Sequence, residues 1–216
     1  MFRRSLLAAA TLASLPALAQ TRPPAPAPAP APAAIDRAAL ARIEAYLNAM
    51  RTLRARFLQV AQNGATAQGT AWISRPGRMR FDYDPPEPTL LVASGGQVMM
   101  FDRELRQPSI VPAASTPLGL LLRPEIRLSG DITVTGTERS GGFLRVFLHR
   151  TGAAAEGRLG LAFQEDPFEL RQWTVLDAQG RETRVTLYEV DTTTRPDNRI
   201  FDFNDPTFLD REGMRR

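Results

Sequence analysis

Residues 69–83 read GTAWISRPGRMRFDY. The stretch divides at Arg75-Pro76-Gly77 into two short runs, 69–74 and 78–83. In the second run Met79, Phe81 and Tyr83 share one face, and Arg78, Arg80 and Asp82 share the other. That is the period of two expected of a half-buried strand. The pattern continues in both directions. Upstream, Leu53, Ala55, Phe57 and Gln59 alternate with Arg54, Arg56 and Leu58, and Asn63-Gly64 marks a turn. Downstream, residues 90–93 and 97–102 read as strands joined through Ser94-Gly95-Gly96. Further strands are predicted over 132–137, 143–149, 159–164, 172–177 and 183–190, with turns at Gly141-Gly142 and Ala178-Gln179-Gly180. Short, regular spacing of this kind suits antiparallel meanders. There is no βαβ alternation, no glycine-rich phosphate loop and no nucleophile elbow.

Two helices accompany the strands. Asp36 can cap a helix running to Met50, in which Leu40, Ile43, Leu47 and Met50 recur at helical spacing on one stripe. Arg37, Arg42, Glu44 and Arg51 fall on its other side. Thr116-Pro117 is a second helix start, followed by Leu118, Leu120, Leu121 and Leu122 and ended by Pro124. This segment is apolar nearly all round, so it must be buried or face a ligand. About ten strands with two helices predict a mainly β chain: a large, curved antiparallel sheet with helices covering its concave side. Some strands carry apolar residues on both faces, such as Met99-Met100-Phe101 and Phe143, Leu144, Val146 and Phe147. The pattern fits a fully packed core, and it fits equally an open or half-closed barrel that holds an apolar ligand.

The ends differ from the domain. Residues 1–19 read as a cleavable secretory leader, with Arg3 and Arg4 before a short apolar run and Ala17-Leu18-Ala19 as the cleavage signal. The apolar run is too short to span a bilayer and is interrupted by Pro16. Residues 20–34 are an Ala/Pro-rich linker, favouring extended polyproline II over a packed core. The folded domain is expected over 35–211, with 212–216 as a tail in which Met214-Arg215-Arg216 fray.

Composition excludes much chemistry. The 216 residues include no cysteine and one histidine, and all 27 basic residues are arginine. Disulfides, thiolate catalysis, cysteine-based metal sites, multi-histidine metal sites and lysine-based mechanisms are therefore absent. No cofactor and no metal site is expected. Once Arg3 and Arg4 leave with the leader, 25 arginines stand against 23 acids. That near-neutral balance gives no footprint for nucleic acid. Asp82, Asp84 and Glu87 lie close together among prolines and read as a solvated turn, since EF-hand spacing is missing. His149 reads as a surface or capping residue at a strand end.

Residues 57–107 resemble the periplasmic outer-membrane lipoprotein carrier family (LolA). The resemblance is carried by Phe57-Leu58-Gln59, then by 69–77 ending in Arg75-Pro76-Gly77, then by 78–86, Leu91-Val92-Ala93-Ser94-Gly95 and Met100-Phe101-Asp102…Gln107. Residues 116–121 look like the family's second helix, and 201–206 like its terminal Phe-x-Phe…Pro strand. The family often has tryptophan where Phe81 stands, and the Ala/Pro linker lies outside its pattern.

The resemblance implies an unclosed (half) β-barrel lidded by helices (LolA/LolB-like), and a carrier rather than an enzyme. It implies acylated lipoproteins as cargo, an inner-membrane ABC lipoprotein-releasing complex as donor, and an outer-membrane lipoprotein receptor as acceptor. The protein would act in the periplasm as a monomer. Arg75 matches the family arginine that ties barrel to lid and is needed for cargo release. Leu40, Ile43, Leu47, Met50, Leu118, Leu121 and Leu122 are the expected inner face of the lid. Trp72, Met79, Phe81, Tyr83, Leu91, Met100 and Phe147 are the expected acyl-binding wall. Two rivals stay open at this point: a lipid-binding or envelope-sensor module on the same fold, and a periplasmic hydrolase using Asp82 or Asp84.

Overall fold

A computed structural model describes residues 35–214, so the leader, the linker and Arg215-Arg216 lie outside the described residues. Helix α1 (Arg37–Ala49) comes first, capped by Asp36, whose carboxylate accepts the Ala39 N–H at 3.0 Å. Six strands follow: β1 (Thr52–Ala61), β2 (Thr66–Ser74), β3 (Arg78–Tyr83), β4 (Thr89–Ser94), β5 (Gln97–Asp102) and β6 (Gln107–Pro112). After a connection that carries a 3-10 turn (Pro117–Leu122) come β7 (Ile132–Ser140), β8 (Phe143–Arg150), β9 (Gly157–Glu165), β10 (Phe168–Asp177) and β11 (Glu182–Asp191). A 3-10 turn (Asn198–Phe201) and helix α2 (Pro206–Arg211) end the described chain.

The strands form one 11-stranded antiparallel sheet in the order β6-β5-β4-β3-β2-β1-β11-β10-β9-β8-β7. Each half is a hairpin meander, and the β1–β11 pairing joins them. The two edges, β6 and β7, are not paired with each other, so the sheet is not closed. Chain connectivity then forces residues 113–131 to run from one edge to the other.

The main core lies on one face. Its members are Ile43 and Leu47 of α1, Leu53 and Phe57 of β1, Met79 and Phe81 of β3, Leu120–Leu122 of the 3-10 turn, and inward residues of β7 to β11. Phe57 and Phe81 lie 5.1 Å apart between ring centres, and Phe81 meets Trp173 edge-on at 5.8 Å. Gly69 makes room for this cluster. A Cβ there would stand 2.7 Å from the Phe57 ring and closer still to the Asp82 carbonyl.

Three expectations need correction. Residues 201–206 are no strand: Phe201 closes the 3-10 turn and Asp205 caps α2. Met214 is not frayed, since it packs on a second cluster, and Glu212 of the tail pairs with Arg80. That cluster, on the outer face, sets Phe201, Phe203 and Phe208 over Leu90, Val92, Met99 and Phe101. Residues 107–112 form a strand that the sequence reading passed over. Its exposed edge position tolerates Pro108 and Pro112.

Candidate functional site: a lidded apolar trough

The concave face is covered by two pieces of chain, α1 and the Pro117–Leu122 turn. Ile43, Leu47 and Met50 of the first and Leu121 and Leu122 of the second are buried in the main core, and Leu40 and Leu118 pack against it half-buried. The apolar stripe predicted by helical spacing thus packs on the sheet.

Arg75 sits where β2, α1 and the second lid meet, and only 5% of it is exposed. Its Nη1 donates to the carbonyls of Leu47 and of Met50, the latter at 3.3 Å. Its Nη2 donates to Arg123 O at 2.7 Å and Pro124 O at 3.4 Å, and Nε donates to Arg123 O at 3.1 Å. One planar fork therefore closes the carbonyl end of α1 and the end of the second lid together. Those carbonyls have no further turn of helix to bond to, which is why a cation belongs there. Among the described residues Arg75 makes no ion pair. Burial, and then the nearby Arg51 charge, lower the guanidinium from its usual pKa.

Helix α1 is also stitched to the chain that follows the second lid. Asn48 donates to the Ile126 carbonyl and accepts the Ile126 N–H, both at 2.9 Å, and Glu44 accepts the Leu128 N–H. At the start of α1, the Asp36 N–H donates to Thr137 Oγ1 at 2.9 Å. Tyr46 packs edge-on against Phe163 and Phe168. None of these contacts was singled out from the sequence. Trp173, fully buried against Phe81, was also missed, although its strand alternation with Val175 was visible.

The seven expected wall residues divide. Met79 and Phe81 are buried in the trough. Tyr83 and Leu91 are half-buried against the same core. The Tyr83 hydroxyl donates to Gln59 Oε1 at 2.8 Å, and burial pushes its pKa up to about 12. Met100 shares the face of Val98 but lies one strand from the edge, past the cover of the lids, and is 52% exposed. Trp72 and Phe147 stand on the other face. In β2 it is Ala71 and Ile73 that enter the main core, and Trp72 packs outside under the Arg54 guanidinium. In β8 it is Leu144, Val146 and Leu148 that point in. Phe147 faces out, across from Gly136 and Gly160.

A cavity of about 220 Å³ remains between the two halves of the sheet, beneath residues 113–122. Leu120 and Leu122 of that segment and Ile132, Leu148 and Leu159 of the sheet line it, together with the exposed Arg150 and Glu156.

The acidic turn is engaged elsewhere. Asp82 accepts from Arg80 at 2.6 and 2.8 Å and from Arg103 at 2.9 Å. Burial opposes ionisation of its carboxyl, yet these cations hold it below the usual range. Asp84 is bound by Arg56, whose hydrogen bond likewise lowers its pKa. His149 bonds the backbone carbonyl of Arg150 through Nδ1 at 2.8 Å. Among the described residues no three His, Asp or Glu side chains converge on a metal position.

Fold and site define a class: an unclosed antiparallel half-barrel with an apolar interior, covered by two lids fastened through one buried arginine. The chain belongs to the family described as outer membrane lipoprotein carrier protein LolA, which matches residues 48–204. It is 29% identical to an outer-membrane lipoprotein carrier protein of Azotobacter vinelandii, over 97% of this chain and 97% of the relative. A protein of the same description from Legionella pneumophila is 30% identical, over 78% of this chain and 86% of the relative. Among solved structures, a LolA superfamily protein from Nitrosomonas europaea aligns with a TM-score of 0.42 and 10% identity, over 76% of this chain and 98% of that one.

Proposed function

We propose that this protein is a periplasmic carrier that shelters the acyl chains of lipoproteins in the trough and moves them from the inner to the outer membrane. Its donor would be an inner-membrane ABC lipoprotein-releasing complex and its acceptor an outer-membrane receptor. The observation that carries the reading is the buried Arg75, which fastens both lids over an apolar interior through neutral carbonyls alone.

The magnitudes suit a carrier. Burying an acyl chain of about sixteen carbons gains roughly 10 kcal/mol. Displacing Ile43, Leu47, Leu121 and Leu122 from the interior costs about 1.5–3 kcal/mol each, so about 6–12 kcal/mol in all. The two terms nearly cancel. Cargo can therefore enter and leave, with the closing lid competing for its place. The relatives' names supply the cargo class, and the leader read in residues 1–19 supplies the compartment. The acid-pair hydrolase reading finds little support, because Asp82 and Asp84 are both held ionised by arginines and neither is poised as a general acid.

The test is release of lipoproteins from spheroplasts by the purified mature protein, residues 20–216. Soluble lipoprotein bound to the protein is the expected result, and none in solution would overturn the carrier reading. Arg75→Leu should load cargo yet fail to pass it to outer membranes; normal onward transfer by that variant would remove the latch.

A further inference from the structure

The two lids are held at different points. Helix α1 is pinned at its end by the buried Arg75 and along its length by Asn48, Glu44 and the Tyr46 ring cluster. The second lid is anchored at its ends, by the Ala113 N–H on Gly96 O and the Gly77 N–H on Leu122 O, both at 2.8 Å, and just past Leu122 by Arg75 on Arg123 O and Pro124 O. Between those anchors Arg150 reaches across from β8. Its Nη1 donates to Ala114 O at 2.9 Å and its Nη2 to Glu156 Oε2 at 2.6 Å. Both partners of that ion pair are exposed, at 44% and 59% of their side chains. Exposed pairs are worth little, about 0–1 kcal/mol. A 3-10 segment also has poorer internal hydrogen bonding than an α-helix.

The 220 Å³ cavity lies against the stretch 113–120 between those anchors, and the leucines and Ile132 that line it belong to the main core. It therefore abuts the packed interior. Its size decides its role. Sites that enclose a whole small ligand run to about 300–1,000 Å³, whereas an apolar void of about 150 Å³ takes one benzene ring. A space between the two admits the leading end of a single hydrocarbon chain and no more.

We propose that this cavity is the entry portal for one acyl chain, which threads between residues 113–120 and the end of β8, with Arg150 as the catch that keeps the segment down. The rest of the chain then displaces Leu120 and Leu122, while its polar end stays at the Arg150–Glu156 rim. This inference rests on the trough being the acyl site.

The test is stopped-flow binding of a fluorescent single-chain fatty acid, cis-parinaric acid, to residues 20–216. Arg150→Ala removes the Nη1 bond to Ala114 O and should raise the association rate about five-fold, the worth of one exposed charge-assisted contact. Ala153→Trp fills the rim and should lower the rate at least as much. Ala65→Trp, in the exposed β1–β2 turn, should leave it unchanged. Both portal positions lie outside the buried core, so thermal melts should match the parent protein. If the parent binds the probe and both portal variants bind at its rate, entry lies elsewhere and the portal is overturned while the acyl site stands. If the parent does not bind the probe at all, the acyl site itself is overturned and the portal with it.

Discussion

Arg75 is legible as a site because its neighbourhood is local: a strand, a Pro-Gly turn and a second strand place it at a strand end. What it touches is not legible, since Leu47 lies 28 and Arg123 lies 48 positions away. Phe147 shows the same limit differently. Alternation separates it from Val146 and Leu148, but all three are apolar, so the strand alone does not say which face goes in. The answer comes from its neighbours. Gly160 leaves a space in β9, and a Cβ there would stand 3.3 Å from the Phe147 ring, which lies over the glycine. The ring covers backbone that no side chain covers, a known use of aromatics beside strand glycines. Phe147→Ala should therefore lower unfolding stability by about 1 kcal/mol. Fatty-acid affinity should not change. A loss of binding in fluorescence titration, with the melt unaltered, would return Phe147 to the acyl wall.

Among elements, α1 and the central hairpins follow from their periods, whereas β6 and the C-terminal segment do not. Ala113 donates to Gly96, so the odd positions of β6 face β5, and Pro108, Ile110 and Pro112 turn outward. Two of those three have no N–H to offer. The prolines that hid the strand thus blunt an edge that another chain could extend. The C-terminal segment is hidden because ion pairs distant in sequence fix it. Arg80 and Glu212 are each 6% exposed at the side chain and bond at 2.7 Å, with Arg103 and Asp82 completing the network. Burial opposes the charge on Glu212, but Arg80 and Arg103 bring its pKa below the usual value, and Asp82 is lowered in the same way. A depressed folded-state pKa gives stability that is complete above the unfolded carboxylate range and lost as pH falls through the folded value. Residues 198–214 should accordingly come loose below about pH 4. Proteolysis or hydrogen exchange at the C-terminus would report it. Glu212→Gln should cost about 2 kcal/mol at neutral pH and reduce the acid dependence. An unchanged acid profile would place the dependence on other carboxylates.

At the scale of the molecule, a hairpin meander was readable from turn spacing, but the β1–β11 seam that joins the halves was not, because no local pattern marks it. That seam predicts the order of opening. Amides of β1 and β11, paired on both sides, should exchange slowest, and those of residues 113–128 fastest. Loaded with an acyl probe, the 113–128 amides should change most; equal protection across the chain would contradict a lidded carrier.

The connection from β6 to β7 is a chord drawn across the mouth of an arc. Spreading the arc lengthens the chord, and the length must come from the Pro117–Leu122 coil, since a 3-10 turn rises only about 2 Å per residue against about 3.3 Å for extended chain. Trough width and lid seating are then a single mechanical variable. Under the carrier reading, a cargo broad enough to push β6 from β7 would draw the cover taut and lift it, so that girth rather than chemical identity would set how far the protein opens.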